Sequence, residues 1–162
     1  MARGNEIIVS SGSGPRGVFH EGYIATAQTP KPGTIMEIDF TVALKGGRWT
    51  YKVFDGAADG ANATIFVLLP DHLRGMTATD AYAAGDRCFL YVPAAGEELN
   101  VLVLNLAGTT DDHPLGEILM VDKGTGKLIV TAGSPESEPF QLLEVITDPT
   151  EDTLAWVMYT GG

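Results

Sequence analysis

Residues 75–104 read GMTATDAYAAGDRCFLYVPAAGEELNVLVL, and this stretch decides the fold class more than any other part of the chain. A short polar segment leads to a Gly-Asp pair, and two strand-like runs follow at residues 87–92 and 99–104. The segment between these runs contains Pro93 and Gly96, residues that favour turns. The stretch therefore predicts two β-strands separated by a turn.

The pattern continues upstream, where residues 35–42 alternate between apolar and polar side chains over much of their length. In a strand this alternation places Ile38, Phe40 and Val42 on one face. A Gly-Gly pair then precedes a second alternating run at residues 49–53. The two runs predict a β-hairpin.

Residues 64–69 form a continuous apolar run, which predicts a buried strand. Two more hairpins are predicted downstream, at residues 117–131 and 141–159, each with a turn rich in Gly, Pro, Asp or Thr. Residues 77–84 favour one or two helical turns. The expected fold is therefore all-β, a small β-barrel or β-sandwich built of hairpins with at most one short helix.

The N-terminal region differs from the rest of the chain. Residues 1–33 are rich in Gly, Ser and Pro and contain one short β-prone run, Ile7-Ile8-Val9, followed by isolated apolar patches, so they are expected to form an extended arm. Such an arm would order against a partner or a neighbouring subunit, and the alternative is a floppy terminus. Residues 34–162 would form the β-barrel or β-sandwich domain.

Charge limits the classes of partner. The chain carries 21 Asp and Glu residues against 10 Lys and Arg residues, a net charge of −11. Because so acidic a surface repels phosphate groups and anionic lipids, nucleic acid and membrane surfaces are not expected as partners. With 44% hydrophobic and 19% charged residues, the chain is also expected to fold rather than to be disordered.

The single cysteine, Cys88, lies in a predicted strand and is interpreted as a small buried apolar residue, since no internal disulfide is possible. The first residues lack the apolar core of a signal peptide, and no segment has the roughly 18 apolar residues of a membrane helix. The protein is therefore expected to be made in a cytosol and kept there or released by lysis.

Two short motifs resemble ligand-binding sequences, but each lacks features that the corresponding site requires. Residues 12–17 match G-x-G-x-x-G, but residues of β propensity follow them where a nucleotide site needs a helix N-terminus. Residues 55–60 resemble the start of a calcium loop, but Ala57 and Phe66 stand where that loop requires oxygen ligands. The first match is interpreted as accidental and the second as a turn.

No catalytic, cofactor or metal site is expected. The three histidines are far apart in sequence, and the only local group of possible ligands, Asp111-Asp112-His113, is interpreted as a solvated loop. The serines lie in loops without a nucleophile-elbow context. Adjacent acidic pairs point to opposite faces of a strand, so they are poor acid–base partners.

One segment carries a family resemblance. Asp80-Ala-Tyr82, Gly85-Asp86, Pro93 and Gly96-Glu97-Glu98 are similar to a segment of the capsid decoration, or cement, proteins of tailed bacteriophages. Pattern similarity extends over about two-thirds of the chain. The sequence departs from the family where Ala95 replaces a second proline and Glu97 replaces the more usual aspartate.

This resemblance implies a β-tulip-like barrel with no enzymatic activity, assembled as a homotrimer and bound to the outer surface of an expanded capsid. The partner would be the major capsid protein, and the location would be the virion after synthesis in the host cytoplasm. Binding would clamp neighbouring capsomers and gain avidity from several subunits. The residues expected to contact the capsid or a neighbouring subunit are Ile7, Ile8, Val9, Arg16, Phe19 and Tyr23.

Two other classes fit the same length and strand content. A small trimeric β-enzyme of the dUTPase type is one, although its substrate motifs cannot be located in this chain. A carbohydrate-binding or tail-associated β-sandwich is the other, because an aromatic row such as Trp49 and Tyr51 could hold a sugar.

Overall fold

The computed structural model describes residues 7–9, 15–56, 64–103, 113–130, 140–147 and 153–161. Within these ranges the chain is all-β, as predicted, and contains a single turn of 3-10 helix at His72–Arg74. The strands are β1 (Ile8–Val9), β2 (Val18–Ile24), β3 (Ile35–Ile38), β4 (Thr50–Val53), β5 (Phe66–Leu69), β6 (Arg87–Val92), β7 (Glu97–Val103), β8 (Ile118–Val121), β9 (Leu128–Val130), β10 (Phe140–Leu142) and β11 (Thr153–Tyr159).

Five strands close the first barrel in the order β2-β4-β3-β5-β6. Its pairs are antiparallel except for β2 and β4, which run parallel where Tyr23 and Ile24 lie beside Thr50 and Tyr51. The interior is filled by apolar side chains from all five strands and from the segment before β6. They are Ile24, Met36, Tyr51, Phe66, Leu68, Tyr82, Cys88 and Leu90.

The second barrel follows in sequence and closes in the order β7-β11-β10-β8-β9, with a parallel contact between Val103 and Leu128 completing the ring. Strand β1 adds to the edge of β7, where Ile8 lies opposite Leu99. The sequence predicted a barrel or sandwich, and the structure shows two small closed five-stranded barrels in one chain. Closure of both rings leaves few strand edges open to other chains.

The two barrels share an apolar interface because three strands of the first barrel use both of their faces. In β3, β5 and β6, alternate residues such as Met36 and Leu68 fill the first barrel. The intervening residues Ile35, Val67 and Tyr91 instead pack into the core of the second. This explains the continuous apolar run at residues 64–69, since a strand buried on both faces has no polar side.

Backbone hydrogen bonds tie the barrels together at the β8–β9 turn. The Ile35 N–H donates to the Gly126 carbonyl at 2.7 Å, and the Gly124 N–H donates to the Phe54 carbonyl at 2.8 Å. At Gly126 the backbone has a φ of +63°, and a Cβ there would lie 2.3 Å from the Ile35 carbonyl oxygen. Only glycine therefore allows this approach of the two barrels.

The N-terminal region differs from the prediction of an arm ending at residue 33. Strand β2 is an integral wall of the first barrel, paired with β6 from Val18↔Val92 to Tyr23↔Arg87. Gly22 lets this strand lie close to β4, since a Cβ there would meet the Tyr51 ring at 2.3 Å. The isolated apolar residues that suggested an arm are strand residues whose partners are distant in sequence.

The helical turns predicted at residues 77–84 are absent from the structure, which describes this whole segment. Asp80 accepts hydrogen bonds from the Thr77 N–H at 2.7 Å and its hydroxyl at 2.8 Å, and these close a tight turn. Tyr82 then enters the first barrel, where its hydroxyl donates to the Leu69 carbonyl at 2.8 Å. Burial of the tyrosine outweighs the local helical preference.

Candidate protein-docking surface

The loop between β3 and β4, residues 39–49, is an ordered hairpin at one end of the first barrel, and we name it the apolar hairpin. Its position follows from the strands that carry it. β3 starts at Ile35, which bonds to the second barrel, and runs away from that junction to Ile38. β4 then returns from Thr50 toward the junction. The apolar hairpin therefore lies at the end of the first barrel away from the second.

Several large apolar side chains of this hairpin are exposed to solvent. Phe40 is 70% exposed and Leu44 50%, and Val42 and Trp49 are also exposed. The Phe40 and Trp49 rings pack edge to face with centroids 5.6 Å apart. Single exposed apolar residues are common, whereas four large ones in one loop make this hairpin a candidate interaction site.

The sequence prediction for this segment was wrong in one respect. Phe40 and Val42 were expected on the same strand face as Ile38, whereas β3 ends at Ile38 and both residues are exposed. The Asp39 carboxylate ends the strand by accepting hydrogen bonds from the Thr41 N–H at 3.0 Å and the Thr41 hydroxyl at 2.5 Å. This Asp-x-Thr motif was the signal in the sequence that could have identified the strand end.

The tip of the apolar hairpin is held by a two-residue turn. Lys45 and Arg48 exchange backbone hydrogen bonds of 3.0 and 3.1 Å across Gly46 and Gly47. Both glycines have positive φ, +58° and +77°, which is the conformation of a type I′ turn. The hairpin is thus ordered by its own backbone, although its side chains are exposed.

Cationic groups border the apolar hairpin. Lys45 Nζ lies 4.4 Å from the centroid of the Tyr23 ring, and Arg48 Nε lies 3.3 Å from Glu21 Oε1. Arg87 also pairs with Glu21. The hydrogen bond from Arg87 is the main reason why the pKa of Glu21 lies below its usual value. Two arginines therefore share one carboxylate beside the hairpin.

The charge of the chain is divided unequally along the sequence. Residues 15–92, which supply the first barrel, contain seven basic and eight acidic residues, a net charge of −1. Residues 93–162, which supply strands β7 to β11, contain two basic and twelve acidic residues, a net charge of −10. Residues 1–14 contain one of each, so these segments account for the total of −11.

The residues that the sequence analysis expected at a capsid or subunit contact lie in several places. Ile7 is buried in the core of the second barrel, and Ile8 packs against the same core. Val9 pairs with Glu98 through the backbone of β1 and β7. In this conformation the side chain of Ile7 is occupied by internal packing and is not available to a partner.

The other three expected contact residues lie on or next to β2. Phe19 is exposed, and its ring packs 5.0 Å from that of Tyr91. Tyr23 is half-buried beneath Lys45 of the apolar hairpin. Arg16 is exposed, and its guanidinium donates to the Ala95 carbonyl at 3.3 Å. Of the six expected residues, Tyr23 alone contacts the apolar hairpin through a contact described here.

Glu97 is a buried polar centre that the sequence analysis took only as part of a turn. Its carboxylate accepts hydrogen bonds from the Tyr91 hydroxyl at 2.7 Å, from the Ala94 N–H at 2.6 Å and from the N–H groups of Arg16 and Gly17. Burial alone would raise the pKa of Glu97. The four donors outweigh burial, and the pKa lies below its usual value. This arrangement fixes the start of β2 to the β6–β7 turn.

The other candidate ligand residues do not converge. Among the described residues there is no group of three or more His, Cys, Asp or Glu side chains close enough to hold a metal ion. His113 was expected in a solvated loop, but it is buried and lies 2.9 Å from Glu117 Oε2. Asp111 and Asp112 of the same cluster, and residues 12–14 of the glycine-rich motif, lie outside the described residues.

The G-x-G-x-x-G match continues into strand β2 rather than a helix, so the helix N-terminus that a nucleotide site needs is absent there. Cys88 is fully buried in the first barrel, as predicted, and burial raises the pKa of its thiol to about 12. No helix among the residues that the structure describes is long and apolar enough to cross a membrane.

No protein-family model matches this chain, and no curated protein matches it either.

Proposed function

We propose that this protein is a structural virion protein that binds the outer surface of an expanded bacteriophage capsid and stabilises it. The observation that carries this proposal is the polarity of the molecule. An ordered apolar hairpin with basic neighbours lies at one end, and the segment that supplies the other barrel has a net charge of −10. The apolar hairpin is suited to a protein surface, whereas the acidic charge carried by the second half of the sequence resists contact with neighbouring particles.

The residues that resemble decoration proteins support this proposal through their structural roles. Tyr82 fills the first barrel, and its N–H donates to the Pro30 carbonyl at 2.9 Å. Asp86 accepts from Arg74 at 3.0 Å, and Glu97 holds the start of β2. Because these positions build the first barrel and its connection to the second, the resemblance favours a common architecture rather than a shared ligand site.

A homotrimer is part of the proposal. A single apolar hairpin of eleven residues buries little surface, so one copy would bind weakly. Three copies presenting three hairpins to one shell would gain affinity through effective concentration. Sedimentation equilibrium of the purified protein should then give a mass of three times the 17.1 kDa of one chain.

The test is co-sedimentation of the purified protein with capsid shells assembled from the major capsid protein of the phage whose genome encodes this chain. Saturable binding to expanded shells but not to unexpanded procapsids, together with a higher melting temperature of the decorated shells, is the expected result. Absence of binding to the expanded shells would exclude the proposed function.

A carbohydrate-binding module is the second candidate, and the exposed aromatic pair Phe40 and Trp49 is the observation that favours it. Sugar rings stack on aromatic faces, whereas Val42 and Leu44 beside the pair offer no such face. Saturable binding on a glycan array that Trp49→Ala abolishes and Leu44→Ala preserves would support this candidate over the capsid proposal.

A further inference from the structure

We propose that the apolar hairpin, residues 39–49, is the element that docks on the shell subunit, and that its partner site is an apolar pocket bordered by carboxylates. This inference rests on the proposed function, since it takes the partner to be the capsid shell. It assigns the contact to the β3–β4 connection rather than to the N-terminal residues that the sequence analysis favoured.

Exposure is the first reason. Four large apolar side chains, Phe40, Val42, Leu44 and Trp49, are exposed within ten residues of one hairpin. The other exposed apolar residues of the described chain are single, such as Leu73, or form the pair Val18 and Phe19. Docking of the hairpin in an apolar pocket would remove the largest such group from water.

Pre-ordering is the second reason. The hydrogen bonds of Asp39 to Thr41 and the Gly46-Gly47 turn fix the backbone before any partner is present. Binding therefore does not need to order the hairpin, and less of the apolar contact energy is lost to conformational entropy.

Charge identifies the class of partner. Residues 39–49 carry Lys45 and Arg48 against Asp39, a net charge of +1 in a chain whose total is −11. Carboxylates at the rim of the partner site would complement these cations, speed the encounter and fix the orientation. Glu21 already pairs with Arg48, so Lys45, which lies over the Tyr23 ring, is the cation that such carboxylates would meet.

The same charges argue against a second copy of this chain as the occupant. Two hairpins facing each other would bring like cations together at the contact. A hairpin buried in a head-to-tail contact with another copy, the kind of contact that closes a trimer ring, would be covered and could not be presented to the shell. A separate protein whose apolar site has an acidic rim complements both the apolar side chains and the cations of the hairpin.

The test compares one double variant and one single control variant in the shell-binding experiment. Phe40→Ser with Leu44→Ser removes apolar contacts from the hairpin, and Leu73→Ser is the matched control, because Leu73 is 93% exposed in the same barrel. We expect the double variant to bind expanded shells about tenfold more weakly or worse, and the control to bind within about twofold of the unmodified protein.

A third variant, Lys45→Glu, tests the acidic rim. It should weaken binding about threefold to tenfold at low salt and reduce the loss of affinity on adding salt. Because all these side chains are exposed, the variants should keep the melting temperature of the unmodified protein, and near-ultraviolet circular dichroism verifies their fold.

The outcomes separate the two proposals. If the unmodified protein binds expanded shells and the folded double variant binds equally well, the hairpin inference is wrong and the proposed function stands. If the unmodified protein does not bind expanded shells, the proposed function is wrong, and the shell is not the partner of the hairpin. If the hairpin variants abolish self-association and leave shell binding intact, a second copy occupies the hairpin and the inference is overturned.

Discussion

The Tyr91 hydroxyl donates a 2.7 Å hydrogen bond to the buried carboxylate of Glu97, and this contact joins the last strand of the first barrel to the first strand of the second. The same carboxylate oxygen accepts from the N–H groups of Arg16 and Gly17, which precede β2. One side chain thus holds three segments that are far apart in sequence. Removal of this carboxylate would leave the buried donors without their acceptor, so the fold should be sensitive to substitution of Glu97.

Replacement of this carboxylate should destabilise the fold. Glu97→Gln keeps the shape of the side chain but places an amide N–H group against backbone N–H donors. The free energy of unfolding should fall by about 1–3 kcal/mol, measured by urea denaturation. Glu98→Gln is the matched control, because it removes the neighbouring charge and still offers an oxygen to the Trp156 indole N–H. Equal effects of both substitutions would contradict the special role of Glu97.

The stability should depend on pH through the same group. Because the pKa of Glu97 in the folded state lies below 4.5, its carboxylate stabilises the fold above pH 4.5, and this contribution is lost as the pH falls through the folded-state pKa. Glu37 acts with the opposite sign, since burial raises its pKa. The difference in unfolding free energy between the unmodified protein and Glu97→Gln should therefore shrink on acidification below pH 4.5. A constant difference would contradict the prediction.

The junction between the barrels should tolerate no side chain at Gly126. Gly126→Ala places a Cβ 2.3 Å from the Ile35 carbonyl oxygen. The Cβ of Gly124→Ala, two residues earlier in the same turn, would meet nothing within 4 Å. Both positions have positive φ, so both substitutions should cost about 1 kcal/mol of backbone strain. Only Gly126→Ala should cost a further 1–3 kcal/mol or so from overpacking, seen as a lower urea midpoint. Similar midpoints for the two variants would show that the turn can move away from β3.

The thiol of Cys88 should be unreactive in the folded protein. Cys88 is fully buried and its thiol pKa is raised to about 12, so almost no thiolate is present near neutral pH. A chromogenic disulfide reagent should react with one thiol per chain in concentrated urea and only at the rate of unfolding in native buffer. Rapid stoichiometric reaction in native buffer would show that the first barrel opens at this position.

Much of the fold could be predicted because strand signals are local. The runs around Phe66–Leu69, Arg87–Val92 and Thr153–Tyr159 identified their strands, since alternation and β propensity are properties of neighbouring residues. The burial of Cys88 followed from the same pattern. The candidate site could not be predicted in this way. Phe40 and Val42 continue the alternation of β3, and only Asp39 shows where the strand ends.

By itself, the sequence determined the all-β class, most strand positions and the acidic charge, because composition and periodicity are carried by the residues themselves. Tertiary structure alone decided that the strands close into two barrels, that β2 is a barrel wall and that Glu97 connects distant segments. These outcomes depend on which strands pair across long sequence separations. Strand pairing of this kind is stabilised by the packing of Ile35, Val67 and Tyr91 between the two cores. Such long-range packing is not visible in the local sequence pattern of any one strand.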